Sequence, residues 1–163
     1  MEFRKMRRIK QQLSETEVIE ILERGSEGVL GVIGNEGYPY TVPVNYLYRD
    51  GKIIFHGAKA GHKFDSMKEN NKVSFCVIDK DDVVGEELTT YYSSVIAFGR
   101  VRILEDREEK IESVKALSLK YTDNIDKVDA SIEKEFPALA CFEIEIEHLT
   151  GKEGMGLLRQ RNK

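Results

Sequence analysis

The sequence predicts a mainly β protein of the α+β class, a small antiparallel barrel of about six strands with helices packed against it. Three observations predict this. Five strand-like runs arrive before most of the helical mass, so the regular strand–helix alternation of a parallel sheet is missing. Turn signals separate the early runs at hairpin spacing, as at Gly34-Asn35-Glu36-Gly37 and Asp50-Gly51. The final run alternates Phe142, Ile144 and Ile146 with Glu143, Glu145 and Glu147, the period of a strand with one wet face.

The elements follow in order. Ser14 and Glu17 form a capping box, Leu13 and Val18 stand where a hydrophobic staple closes, and Val18, Ile19 and Leu22 repeat at helical spacing. Gly25 supplies a left-handed stop. Val29 to Ile33 reads as the first strand and Tyr38 to Tyr48 as the second. Pro39 and Pro43, which cannot donate to a ladder, place the second at an edge or a bend. Lys52 to His56 is the third strand, and His62 to Glu69 is a helical crossover with Phe64 and Met67 on one face. Lys72 to Ile78 is the fourth strand and Asp79 to Leu88 a polar, acidic loop. Thr89 to Leu104 makes a long fifth strand rich in β-branched and aromatic residues. Asp106 caps a helix whose Ile111, Val114 and Leu117 face the core, and a short helix near Ala130 to Phe136 ends before Pro137. Leu139 to Ile146 is the sixth strand.

Length and composition bound the function classes. The 163 residues fit one domain, 1–163, with 1–12 and 155–163 as peripheral tails. The apolar share of 40% and charged share of 33% are those of a globular chain. A net charge of −4 gives no general attraction to nucleic acid or to membrane. No run approaches the roughly 20 apolar residues of a membrane span. Arg4, Lys5, Arg7, Arg8 and Lys10 make the N-terminus basic, but no apolar segment follows as a secretory signal needs. Cys76 and Cys141 lie far apart in apolar runs, so they read as reduced, buried thiols of a cytoplasmic protein. They make neither a disulfide framework nor a metal site.

Three segments carry candidate chemistry. In Phe55-His56-Gly57-Ala58-Lys59-Ala60-Gly61-His62-Lys63 a strand ends, a glycine-bounded loop turns and a helix begins. Free N–H groups at a helix start suit a phosphate, and Lys59, His62 and Lys63 add positive charge; a solvated turn that is merely basic remains the alternative. It is not a P-loop, because the second glycine comes a residue early and Phe64 stands where that motif has a hydroxyl. In Tyr38 to Tyr46 the prolines free neighbouring backbone groups from the ladder, for a planar ring or simply as edge protection. Tyr91-Tyr92-Ser93-Ser94 opens the long strand with hydroxyls, which fits either a core strand or a ligand contact.

Taken together these segments resemble the FMN-binding split-barrel family related to pyridoxamine 5′-phosphate oxidase, and within it the branch of the nitroimidazole-resistance proteins. The resemblance runs from about Met6 to Gly156. It rests on Glu36 to Asn45, on Phe55 to Ala58 with Gly61-His62-Lys63, on Tyr91 to Gly99, and on Thr150-Gly151-Lys152-Glu153. It implies a split β-barrel that pairs as a homodimer with FMN at the interface. Thr41, Val42, Pro43, Val44 and Asn45 would line the flavin ring. His56, Gly57, Ala58, His62 and Lys63 would hold the ribityl chain and phosphate. Tyr91, Tyr92, Ser93 and Ser94 would approach the flavin, from the partner's copy where the geometry demands it. His56 matches a histidine tied to the active site in the nitroimidazole-resistance branch; hydrogen bonding to local backbone is its other reading.

The implied function is an FMN-dependent oxidoreductase passing electrons to a small organic acceptor such as a nitroaromatic. A non-catalytic flavin-binding or sensing module is the alternative, and haem binding on the same fold stands behind it. The chain lacks the longer basic and aromatic C-terminal region of true pyridoxamine-phosphate oxidases, which counts against vitamin B6 oxidation. No nicotinamide-binding glycine fingerprint follows a strand, so the sequence names no electron donor.

Overall fold

A computed structural model describes residues 2–161. Seven strands form one sheet: β1 Glu27–Ile33, β2 Pro39–Asn45, β3 Leu47–Arg49, β4 Lys52–Ala58, β5 Lys72–Val84, β6 Thr89–Ile103 and β7 Leu139–Glu153. Their order is β2-β1-β5-β6-β7-β4-β3, and neighbours pair antiparallel throughout. The helices are α1 Glu15–Arg24, α2 His62–Glu69, α3 Arg107–Leu119, α4 Ile125–Glu135 and α5 Met155–Arg161. β2 and β3 occupy opposite edges of the sheet, yet Tyr46 alone separates them. The sheet therefore rolls until its edges approach without a closing ladder, which is a split barrel.

Alternation along the rolled strands sorts the side chains. Leu30, Val44, Phe55, Phe75, Val95 and Phe142 point into the barrel, where Val18, Ile21 and Leu22 of α1 close one end. Ile54, Leu139 and Cys141 point outward under α3 and α4, meeting Leu104, Val114, Val128 and Ile132 in a second core. Burial pushes the Cys141 thiol up to about 12, so it stays protonated and inert.

The local signals hold where they rest on backbone chemistry. Ser14 accepts from the Glu17 N–H, and the Glu17 carboxylate accepts from the Ser14 N–H at 2.9 Å. Those bonds, with Arg161 added, hold the Glu17 carboxyl down at about 2 despite some burial. Asp106 caps α3 by accepting from the Glu109 N–H at 2.9 Å. Asp50 and Gly51 have φ of 52° and 76°, the left-handed pair of a type I′ hairpin. β2, with its two prolines, is an edge strand.

Several expectations are corrected. The run Tyr38 to Tyr48 is two strands broken at Tyr46, which makes seven in all. The acidic stretch after Ile78 is strand through Val84, because Thr89 to Ser93 offer it a hairpin ladder that outweighs its poor β propensity. β7 continues to Glu153 because β6 runs beside it to Ser93. The helix before Pro137 starts at Ile125, capped by Asn124 accepting from the Lys127 N–H. Residues 155–161 of the expected C-terminal tail form α5. The Glu face of β7 is not uniformly wet: Glu143 is buried, pairing with Lys52 and Arg102 at 2.9 Å each.

Gly25 is not a left-handed stop. Its φ is −64°, and glycine is needed there for room. A Cβ would lie 2.4 Å from the Tyr46 hydroxyl and 3.0 Å from a Val77 methyl. Gly25→Ala is expected to destabilise the fold by about 1–3 kcal/mol through overpacking. Adding Tyr46→Phe removes the nearest obstacle and should recover part of that loss, although the second change forfeits the 2.8 Å bond to the Leu22 carbonyl. Strictly additive losses in urea unfolding would refute this account.

Candidate functional site

The site is built where β4 ends. Pairing to β7 sets His56 opposite Cys141 and Gly57 opposite Ala140. Strand alternation turns Phe55 and Gly57 inward and His56 outward. The chain then leaves the sheet, with the Lys59 N–H donating to the Ala138 carbonyl at 2.9 Å. At Gly61 it turns with φ 100° and ψ 170°, a conformation essentially reserved for glycine. α2 starts immediately after, and no side chain caps its first turn.

Lys63 folds back from α2 over this corner. Its ammonium lies 5.9 Å from the centre of the Phe55 ring. A Cβ on Gly57 would stand 3.0 Å from Lys63 Nζ, so glycine there leaves the cation its berth. Burial lowers the Lys63 pKa. Among the described residues Lys63 forms no ion pair, an uncommon state for a half-buried cation. Burial first, and the charge of Lys63 second, lower the pKa of His56 below the ordinary imidazole value, so His56 is neutral at pH 7.

His62 is held differently. Its ring stacks on Tyr40 with centroids 4.1 Å apart, and Nε2 accepts from the Asn35 N–H at 3.4 Å. This ties α2 to the turn before β2. On β2, Val42 and Val44 face the barrel core, while Thr41, Pro43 and Asn45 face outward. Asn45 donates to the Ser26 carbonyl at 2.9 Å. Thr41 borders a shallow, apolar cleft of about 330 Å³ with Ile33, Pro39, Lys72, Ser74 and Phe98.

Tyr91 to Ser94 lie elsewhere. Ala58 pairs with Leu139 at one end of β7, and Ser93 pairs with Glu153 at the other. At about 3.3 Å per residue, roughly 45 Å of strand separates them before curvature is counted. Tyr91 donates to Glu87 at 2.6 Å, and Lys152 lies 5.6 Å from the Tyr92 ring centre. Ser93 turns inward, donating to Asp79 at 2.6 Å, while Ser94 faces outward. Within one chain, therefore, His56, Gly57, Ala58, His62 and Lys63 come together, Tyr40 links them to β2, and Tyr91 to Ser94 stay apart.

The register also reveals residues the sequence reading passed over. Thr41, Gly31, Ser74, Phe98 and His148 line up across five strands. Phe3 stacks flat on His148, centroids 4.6 Å apart. Neighbouring rows add Pro43, Cys76 and Ile96, then Ile78 and Ser94, on the same outward face, over which Phe3 lies at Phe98 and His148. Alternation within β5 and β6 carried this signal; Phe3 had none. Of the apolar residues of β6, Val95 and Val101 are buried in the barrel, whereas Ile96 and Phe98 are exposed. Among the described residues no group of three or more His, Cys, Asp or Glu side chains could hold a metal, and no helix is long and apolar enough to cross a membrane.

The sequence profile of the pyridoxamine 5′-phosphate oxidase family matches residues 14–153. No curated protein matches the chain. Among solved structures, a protein from Bacteroides thetaiotaomicron named for 5-nitroimidazole antibiotic resistance has a TM-score of 0.73 at 21% identity, over 87% of this chain and 86% of its own. An FAD-binding protein from Mesorhizobium loti has a TM-score of 0.64 at 23% identity, over 88% of this chain and 97% of its own. A flavocytochrome from Azotobacter vinelandii has a TM-score of 0.75 at 20% identity, over 94% of this chain and 73% of its own. At these identities the likeness establishes the fold.

The environment of His56 has a stability consequence. Its folded pKa lies below the unfolded value, so below about pH 6.5 the unfolded chain binds the extra proton. Its contribution is present above that pH and fades as pH falls through the folded pKa. His56→Gln should flatten the decline in unfolding free energy between pH 7.5 and 5.5, measured with urea. An unchanged slope would show that His56 is no more shielded than a free imidazole.

Proposed function

Because this chain belongs to the pyridoxamine 5′-phosphate oxidase family, we propose that it is an FMN-binding oxidoreductase, active as a homodimer, that passes electrons to a small organic acceptor such as a nitroaromatic. The observation that carries the reading is Lys63, a half-buried cation without a carboxylate, set beside the uncapped first turn of α2. Backbone N–H groups, the positive end of a helix and an unneutralised ammonium together suit a phosphate monoester. The FAD-binding protein and the flavocytochrome of like fold support a flavin as the molecule bearing that phosphate.

The residues present fit such a group. Gly57 leaves the berth clear, and the outward side chains of β2 offer an apolar bed for a planar ring at Thr41 and Pro43. The redox chemistry would be the flavin's own. This chain's part is to bind the phosphate, orient the ring and manage a proton. His56, neutral at pH 7 and outward from the end of β4, can accept a proton at one nitrogen while donating at the other. The outward face through Ile33, half-buried Cys76, Ile78, Ile96 and Phe98, part of it under Phe3, is the surface we assign to dimerisation, since exposed apolar patches mark interfaces. Tyr91 to Ser94 of a second copy would then reach the phosphate end that they cannot reach in their own chain. A flavin-binding module without turnover is the alternative, and a nitroaromatic acceptor separates the two.

Lys63→Ala should weaken FMN binding by about ten- to a hundredfold, as expected for a charge-assisted bond of roughly 1.5–3 kcal/mol, and should leave riboflavin nearly unaffected. Equal losses for both ligands in a fluorescence titration would remove the phosphate assignment. His56→Ala should leave dimerisation intact but slow anaerobic reoxidation of the reduced protein by a nitroaromatic by about 10²-fold or more at matched flavin occupancy. Unchanged reoxidation would confine His56 to binding or local structure. A wild type that reduces no acceptor would move the non-catalytic module ahead.

A further inference from the structure

The hairpin joining β5 and β6 is an arm. Past the row of Ser94 it leaves the barrel, and Leu88 at its tip lies ten residues beyond Phe98, roughly 33 Å along the strand. Residues 79–87 carry five acids, Asp79, Asp81, Asp82, Glu86 and Glu87, against Lys80 alone. Asp79 is taken by Arg24, and Asp82 pairs with Lys80 of the same arm. The arm also holds apolar groups in water: Val83 is 73% exposed and Leu88 is 95% exposed, the latter in the left-handed region at φ 50°. Leu88 stands at the rim of a cleft with Tyr91, Met155 and Arg159, and a leucine left so exposed in that conformation costs free energy.

The N-terminal segment is its electrostatic opposite. Residues 2–10 carry Arg4, Lys5, Arg7, Arg8 and Lys10 against Glu2 alone, so the two segments have net charges of +4 and −4. Among the described residues none of these five bases forms an ion pair. The segment is nonetheless placed. Gln12 bridges to Lys152, and Phe3 stacks on His148. It therefore runs beside β7 in the direction away from its own chain's arm, and the two charges do not meet within one molecule.

A two-fold axis lying across the strands, between two facing copies of the apolar sheet face, reverses the strand direction of the second copy. Its arm then points over the end where Phe3, Arg4 and Lys5 of the first copy lie. We propose that in the homodimer each acidic arm, 79–87, docks on the partner's basic N-terminal segment, 4–10, so that two reciprocal clasps flank the apolar interface. This rests on the dimer of the proposed function and adds to it a second contact of different chemistry. Such rim charges steer association and fix register, and their effect is screened by salt.

The test uses two full-length variants whose changes are all at exposed positions outside the flavin site. One carries Asp81→Lys, Asp82→Lys and Glu86→Lys; the other carries Arg4→Glu, Lys5→Glu and Arg7→Glu. Each alone places like charges in both clasps, and its dimer should dissociate about tenfold more readily than wild type at low salt in analytical ultracentrifugation, with the difference shrinking at about 0.5 M NaCl. Mixing the two variants should give heterodimers in large excess by native mass spectrometry, because both clasps then pair opposite charges. A statistical mixture of the three dimers, or dissociation unchanged from wild type in either variant, overturns the clasp while leaving the dimer standing. A wild type that stays monomeric at every concentration overturns the dimer reading itself, and the clasp with it.

Discussion

Tyr46 is a single residue of chain joining the two edges of a seven-stranded sheet, and the rest of the fold follows from that constraint. β2 and β3 cannot both be edges and also be one residue apart unless the sheet rolls. The junction is then clasped from the end of α3. Lys120 donates to the carbonyls of Gly25 and Tyr46 at 2.5 and 3.1 Å. The Tyr121 hydroxyl lies 2.6 Å from the Ser26 carbonyl and 2.9 Å from that of Tyr46, and accepts from the Tyr46 N–H at 3.3 Å. These bonds satisfy backbone groups that a closing ladder would have satisfied, which is why the barrel can stay split without orphaning the backbone at the junction.

Rolling the sheet fixes which surfaces are left to function. α1 seals the barrel, and α3 and α4 cover the outside of β4 and the start of β7. Among the described residues it is Phe3 and its neighbours that reach the outer face of β6 and β7, and the outer face of β1 and β5 beside it stays open. The same roll carries the start of β2 onto α2, where Tyr40 meets His62. The corner around Lys63 and the apolar face are thus two products of one geometric necessity.

Charge is handled in two contrasting ways. Around Glu143 it is neutralised: burial pushes the carboxyl up, but hydrogen bonds from Lys52 and Arg102 outweigh it and leave the pKa lowered. Arg102 reaches at the same time to Glu109 at 2.6 Å, tying α3 to β7. Glu143 is buried while Lys52 and Arg102 reach it from the surface, and Arg102 thereby joins the helix to the sheet. Around Lys63 the charge is left without a carboxylate, and an anion from outside would complete the set. The bases of segment 4–10 are likewise left without ion pairs among the described residues.

The sequence determined what depends on neighbours along the chain. The capping box at Ser14, the Asp106 cap, the type I′ turn at Asp50-Gly51, the edge character of the proline strand and the glycine-bounded start of α2 were all legible, because each is a bond or dihedral made within a few residues. The residues from His56 to Lys63 were legible as a group for the same reason. Tertiary structure decided what depends on partners far away in the chain. The acidic run after Ile78 became strand because Thr89 to Ser93 lay opposite. Gly25 proved a matter of space against Tyr46 rather than of φ. Glu143 was buried because two distant cations met it. Val95 and Ile96 parted to opposite faces once register was set, and Tyr91 to Ser94 were carried to the far end of β7. Local bonding and composition are written in order along the chain, whereas register, burial and facing are set only when strands remote in sequence choose each other.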